Sequence, residues 1–378
     1  MRVMDMERRG VRIVIAGGGT GGHLFPAVAI AEEFLGRSEM NEVLFIGTRR
    51  GLEARLLPGL GFALRTITVE GVKGRGAIQM IGSLLKIPRG MAQSVSILRG
   101  FAPDIALGVG GYASGPAVMA AHFMGIRTAI AEQNALPGST NRILGRFVDR
   151  VFLTFPDGEG RFAAAKTTVT GNPVRKEFTE GIAKTRRDEQ TFSILVFGGS
   201  QGARAINRAV VDALPYLEDM RGRLVITHQT GEGDLAEVSK AYRERGVRSE
   251  VHPFITDMAS AYGSADLLIC RAGATSIAEI TATGKASVLI PYPFAVGGHQ
   301  ELNARVLADA GAAETILEDR LDGSVLAEVI RRLAQSPEAI RRMEEESEKL
   351  GNVKAAARIV DECMTILDRE PLTGVGGA

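Results

Sequence analysis

"VRIVIAGGGTGGHLFPAVAIAEEFL" (residues 11–35) runs from a β-forming apolar stretch into five glycines, a threonine and a histidine, and then into a helical pattern. A strand that stops at glycine and restarts as an amphipathic helix opens a βαβ unit. Glycine lets the backbone turn sharply and approach a ligand closely. The helix end beyond it offers unpaired N–H groups and positive dipole. The loop is not the spaced G-x-G-x-x-G of a dinucleotide fold with its acidic ribose ligand, and no Gly-Lys-Ser/Thr follows it as in a Walker A loop. By itself it is equally a tight strand–helix turn or an anion site.

The same alternation continues along the chain. Short β-rich runs at 11–17, 43–47, 64–69, 104–110, 128–132 and 151–155 are separated by helical patterns, and a second set follows at 193–197, 223–228, 250–254, 267–270, 287–291 and 314–317. Two such sets predict an α/β protein of two Rossmann-like domains, each built on a parallel sheet. "TVTGNPVRKEF" (168–178) holds a Gly-Asn-Pro breaker and marks the junction. Residues 11–168 then form the N-terminal domain and 174–350 the C-terminal one, with the last helical pattern (353–368) expected to complete the first. Two further glycine clusters, "GVGGYASGP" (108–116) and "FGGSQGARAIN" (197–207), also end a strand and precede a helix. Ligands of doubly wound sheets sit beyond the carboxyl ends of the strands. Three loops in that position favour phosphate or sugar binding, and two such domains facing each other would enclose a cleft.

Composition sets outer bounds. Apolar residues make up 45% and charged residues 24% of 378, which fits a soluble globular chain with two cores. A net charge of +1 gives no argument for nucleic acid. Cys270 and Cys363 are too few for a disulfide framework. "MRVMDMERRG" has no apolar core of a signal peptide, and no apolar run reaches the roughly 18 residues of a spanning helix. A cytoplasmic protein is expected.

"GGTGGHLFPAVAIA", "GGYASGPAVMAA", "EQNALPGSTN", "GNPVR", "FGGSQGARAIN", "CRAGATSIAEI" and "HQELNA" occur in this order between residues 11 and 365. Together they resemble the MurG family, the bacterial N-acetylglucosaminyltransferases of peptidoglycan synthesis. The resemblance implies the two-domain GT-B architecture, with UDP-GlcNAc held by the C-terminal domain and the acceptor by a membrane-facing N-terminal domain. It implies transfer of GlcNAc, with inversion, to the 4-hydroxyl of MurNAc in undecaprenyl-pyrophosphoryl-MurNAc-pentapeptide (lipid I), giving lipid II. No cofactor is implied. The implied partners are UDP-GlcNAc, lipid I, the inner leaflet of the cytoplasmic membrane, and cell-wall synthesis and division proteins, with the enzyme peripheral on the cytoplasmic face. The same fold also serves UDP-GlcNAc 2-epimerases and diacylglycerol glycosyltransferases, which stay as alternatives.

His23 follows the first glycine loop. A histidine there caps or packs as readily as it reacts. A positive helix end disfavours imidazolium, so a neutral, proton-accepting His23 is expected, and the resemblance makes it the base or the positioner of the acceptor hydroxyl. The acceptor side also takes in Thr20, Gly21, Gly22, Gly111, Tyr112 and Asn134. "SIAE" (276–279) has the spacing of a capping box, serine at N-cap and glutamate at N3. The resemblance instead gives Glu279 both ribose hydroxyls, which suits a carboxylate with two oxygens. It places Ala274, Thr275 and Ser276 near the phosphates or sugar, and Gly199, Ser200, Gln201 and Gly202 in the phosphate loop. Arg175 is placed near the donor, Phe254 against uracil (otherwise a core residue at a strand end), the Ile255 backbone on the uracil edge, and Gln300 with Asn303 at the sugar. Gly297 and Gly298 stand where family members often carry acids. No cluster of residues suits a metal, so helix ends, glycine N–H groups and Arg175 are expected to meet the charge on departing UDP.

Residues 72–101 combine an apolar stripe with basic residues and no acid. Lys73, Arg75, Ile78, Ile81, Leu84, Leu85, Lys86 and Arg89 are the candidate membrane face. A packed core helix with solvated basic residues is the competing reading.

Overall fold

The computed structural model describes residues 10–69, 77–180, 190–199 and 202–368, without the side chains of 77–87 and 296. Residues up to Pro173, together with those from Lys354 onward, form one compact unit, and Val174–Val353 form a second.

The first unit holds β1 (Arg12–Ala16), β2 (Glu42–Gly47), β3 (Ala63–Thr66), β4 (Ile105–Gly108), β5 (Arg127–Glu132), β6 (Arg150–Leu153) and β7 (Thr167–Val169). They lie in the order β3-β2-β1-β4-β5-β6-β7, and every pairing is parallel. Ile13 to Ala16 of β1 are fully buried. A parallel strand covered by helices on both faces reads as a continuous apolar run, which is why β1 shows no alternation in sequence. The helices are α1 (Gly21–Gly36), α2 (Leu52–Leu56), α3 (Ala77–Phe101), α4 (Ser114–Phe123) and α5 (Ser139–Leu144).

The second unit carries β8 (Phe192–Phe197), β9 (Leu224–Gln229), β10 (Arg248–His252), β11 (Leu267–Cys270), β12 (Ser287–Leu289) and β13 (Ala313–Thr315), in the order β10-β9-β8-β11-β12-β13 and again all parallel. Its helices are α6 (Lys176–Thr179), α7 (Arg204–Ala213), α8 (Leu235–Arg245), α9 (Met258–Ser264), α10 (Ala274–Thr283), α11 (His299–Asp309), α12 (Gly323–Ala334) and α13 (Pro337–Leu350). In both sheets the strand order reverses beside the first strand, the position at which such folds open a crevice at the strand carboxyl ends.

The final helix, α14 (Ala355–Asp368), returns to the first unit. Ile359, Val360, Cys363 and Ile366 enter the core formed by Leu24, Ala27, Val28, Ala31 and Phe34 of α1. Ion pairs Arg37–Asp361 (3.1 Å) and Arg150–Glu362 (3.5 Å) flank that seam.

Each of the twelve expected strands is present. β7, a three-residue edge strand, overlaps the start of the stretch that sequence assigns to the junction. Three residues are too few to show a period.

Candidate active site

In the first unit, the loop after β1 and the loop after β4 lie against each other. A side chain at Gly111 would place its Cβ 2.4 Å from the Gly18 carbonyl oxygen, so only glycine permits this approach. His23 is the third residue of α1, whose N-cap is Thr20. Its ring lies over Gly110, whose absent Cβ would stand 2.7 Å from His23 Cδ2 and 2.9 Å from Nε2. His23 Nδ1 lies 3.4 Å from Thr20 Oγ1. Thr20, Gly22 and Tyr112 are exposed beside it. The N–H of Gly19 does not point outward. It donates to Glu53 Oε2 at 2.7 Å. Thr20, Gly21, Gly22, His23, Gly111 and Tyr112 are therefore brought together at the carboxyl ends of β1 and β4.

Asn134 lies past the end of β5 and is organised by Glu132, a buried carboxylate. Glu132 Oε1 accepts from Asn134 N–H (3.0 Å) and Asn134 Nδ2 (3.3 Å), and Oε2 accepts from Gly138 N–H (3.0 Å) and Asn141 Nδ2 (2.9 Å). Sequence reasoning passed over both Glu53 and Glu132. A carboxylate held by backbone N–H groups and neutral side chains has no charged partner to reveal it in sequence.

In the second unit, α10 begins at Ala274 with Gly273 as N-cap, and no side chain caps it. The capping box expected over 276–279 is not formed. β11 ends at Cys270, and the short turn 271–273 starts the helix at once, with glycine as an adequate N-cap. Ser276 thus lies in the first turn and Glu279 in the second. Glu279 is buried, accepts from Tyr262 Oη (3.3 Å) and lies 3.6 Å from Arg175 Nη2. Burial pushes its carboxyl up to about 7, against the downward pull of the Arg175 guanidinium and the Tyr262 hydroxyl. Arg175 also pairs with Glu177 (2.8 Å) and stacks on Phe178 (5.0 Å).

Ser200 and Gln201 lie outside the described residues. Gly199 and Gly202 flank them. Gly202 lies so close to the Thr230 carbonyl that no larger residue fits. Gln229 ties this loop to the turn after β10: its Nε2 donates to Gly199 O, and its Oε1 accepts from Ile255 N–H, both at 2.8 Å. Of the Ile255 backbone, expected on a uracil edge, the N–H is thus bonded within the protein. Phe254 is 43% exposed, so the core reading of this ring fails. Behind the loop, His228 is fully buried between Tyr242 Oη (2.8 Å) and Asn207 Oδ1 (3.0 Å), and burial lowers its pKa to about 3, which keeps it neutral. Asn207 in turn donates to Thr230 O and Asp234 Oδ2. Sequence reasoning missed Gln229 and His228, although polar residues closing an apolar strand were the available signal.

Gln300 Oε1 accepts from Tyr292 N–H (2.9 Å). Asn303 points inward instead: it is fully buried, and its Nδ2 donates to Ala272 O at 3.2 Å, fixing α11 to the turn before α10. A core-facing asparagine on α11 repeats the i, i+4 spacing that buries Leu307.

Of the candidate membrane face, Lys73 and Arg75 lie outside the described residues, as do the side chains of Ile78, Ile81, Leu84, Leu85 and Lys86. Arg89 is exposed. Further along α3, Met91, Val95 and Leu98 pack into the core, so this end of the stripe is structural. A second patch emerges on α4 and α5. Phe123 is 72%, Ile143 57% and Phe147 42% exposed, with His122 between the two phenyl rings (5.7 and 5.8 Å) and Arg142 and Arg146 exposed alongside. Among the described residues no helix is long and apolar enough to cross a membrane.

Glycine turns at the strand ends of two parallel-sheet units, one beside a histidine and one beside a buried carboxylate, lie where doubly wound folds bind their ligands. Residues 13–153 match the glycosyltransferase family 28 N-terminal domain and residues 193–361 its C-terminal domain. Two curated relatives share the name UDP-N-acetylglucosamine–N-acetylmuramyl-(pentapeptide) pyrophosphoryl-undecaprenol N-acetylglucosamine transferase. The one from Syntrophus aciditrophicus is 58% identical, across 94% of this chain and 99% of its own. The one from a Geobacter species is 52% identical, across 94% and 96%. The crystal structure of Acinetobacter baumannii MurG superposes with a TM-score of 0.74 at 31% identity, over 94% of this chain and 99% of that one. The chain is a family 28 glycosyltransferase, and within that class it belongs to the MurG family.

Proposed function

We propose that this chain transfers GlcNAc from UDP-GlcNAc to the 4-hydroxyl of MurNAc in lipid I, forming lipid II for peptidoglycan. The observation that supports this most directly is 58% identity to a transferase of that name through 94% of the chain. At that level the epimerase and diacylglycerol transferase readings are not favoured.

The acceptor 4-oxygen attacks C1 of GlcNAc from the face opposite UDP. The C1–O bond to the diphosphate breaks and the anomeric centre inverts. His23, beside the first-unit loops, accepts the hydroxyl proton. In the second unit Glu279 takes the ribose hydroxyls and Phe254 the uracil face. The uncapped end of α10, the 199–202 loop and Arg175 face the charge that develops on UDP. Gln300 takes a sugar hydroxyl, and Asn303 supports the site from behind. The acceptor lies with Thr20, Gly21, Gly22, Gly111, Tyr112 and Asn134.

UDP release from UDP-GlcNAc, measured with and without a short-chain lipid I analogue, tests this. Release that depends on the analogue, with a disaccharide product, is the expected result. Release without an acceptor would mean epimerisation or hydrolysis.

The first unit faces the membrane in this reading, by the Phe123–Ile143–Phe147 patch with Arg142 and Arg146 in addition to the start of α3. Aromatic and aliphatic side chains next to arginines suit the interface of an anionic leaflet. Changing Phe123 and Phe147 together to serine should weaken binding to phosphatidylglycerol vesicles by about a hundredfold or more, given about 1.5–3 kcal/mol for each fully buried phenyl ring. UDP-GlcNAc affinity should stay unchanged, and unaltered sedimentation with vesicles would remove this patch from the membrane face.

A further inference from the structure

We propose that Glu53 is the positioning residue of the His23 loop, an inference that rests on the acceptor role of His23. Glu53 sits in the first turn of α2 and is 1% exposed. Its Oε2 accepts the Gly19 N–H at 2.7 Å, and its Oε1 accepts both the N–H and the hydroxyl of Thr48 at 2.8 Å. One carboxylate thereby joins the loop after β1 to the loop after β2.

The space for it is made by missing side chains. A Cβ on Gly18 would stand 2.5 Å from Glu53 Oε2, one on Gly51 2.1 Å from the same oxygen, and one on Gly47 2.5 Å from Glu53 Cγ. Gly17, Gly18 and Gly19 have φ of 153°, 127° and 89°. Such a stretch has no side chain of its own to hold it and is intrinsically the most mobile kind of backbone. The Glu53 bond to Gly19 fixes the last of the three. Thr20, the next residue, is the N-cap of α1 and touches His23. The carboxylate thus sets where α1 begins and where the imidazole stands over Gly110. It also commits the Gly19 N–H inward, which takes that donor away from any acceptor.

The test is E53Q. The amide has the same shape, but it accepts on one side only and presents an NH₂ donor to an N–H on the other. With the NH₂ turned to Gly19, the Gly19 N–H loses its acceptor; with it turned to Thr48, the hydroxyl can still accept but the Thr48 N–H cannot, so in either orientation one backbone N–H is left unpaired. A loop misplaced by about 1 Å costs on the order of 100-fold, so kcat should fall roughly 10- to 100-fold while the dissociation constant for UDP-GlcNAc stays constant. The His23 ring signal in a histidine-labelled NMR spectrum, identified by its loss in H23A, should shift and broaden without any substrate present. E53D, which keeps the charge on an arm one methylene shorter, should move the same signal, and it replaces E53Q if that variant does not fold. A His23 signal unchanged in the folded variant, or a kcat within about threefold of the parent, would overturn the proposal. If the parent releases no UDP with a lipid I analogue while E53Q still moves the His23 signal, the acceptor reading fails and the positioning by Glu53 stands.

Discussion

Replacing His23 by alanine should lower kcat by about a thousandfold, the middle of the range for a lost general base, with UDP-GlcNAc binding little changed. The two effects separate because His23 belongs to the first unit, whereas the residues given to the donor belong to the second. The imidazole is held by structure from two sides, over Gly110 and beside Thr20 Oγ1, so it is oriented before any acceptor arrives. Equilibrium binding of UDP-GlcNAc and single-turnover transfer to a lipid I analogue check both parts. Turnover close to that of the parent would leave His23 with a packing role only.

Glu279→Gln should have opposite effects on binding and on stability. A carboxylate accepting from two ribose hydroxyls becomes an amide that accepts on one side, and losing a hydrogen bond to a charged group costs about 1.5–3 kcal/mol, or roughly 10- to 150-fold in UDP affinity. Stability moves the other way as pH rises. Burial raises the Glu279 pKa from 4.5 to about 7, so the folded state holds its proton more tightly than the unfolded chain does. The stabilising proton is fully in place below about pH 4.5 and lost as pH climbs toward 7, which removes on the order of 3 kcal/mol from the parent. This is the reverse of the usual salt-bridged carboxylate. Urea unfolding of the parent, followed in the second unit, should show stability falling from pH 5 to pH 7.5, a decline that the glutamine variant lacks. Parallel curves for the two proteins would mean that Glu279 is ionised throughout this range.

The strands were legible because each is a run of β-formers closed by glycine or a polar break, and parallel pairing buries the whole run. The glycine loops were legible for the same reason that they function: nothing but glycine fits between Gly18 and Gly111. What sequence could not supply was direction. Asn303 reads as a polar residue near a site, and only the helix phase shows it turned into the core. The Ile255 backbone reads as a whole until Gln229 is seen to take its N–H. Ser276 and Glu279 have the spacing of a cap, yet the helix starts before them. Glu53 and Glu132 were invisible because their work is to hold backbone or other buried polar atoms, and a buried charge in a sequence looks like any solvated one.

The return of α14 to the first unit has a consequence for synthesis. The apolar side of α1 is made before the second unit, but Ile359, Val360, Cys363 and Ile366, which complete the core around it, are made only after that unit. The whole of Val174–Val353 is translated in between, a delay of roughly ten to forty seconds at about 5–20 residues per second. The nascent N-terminal half therefore waits with a core face uncovered, and a chain cut short by even one closing helix would carry both sheets and still present that face to every chaperone and protease it meets.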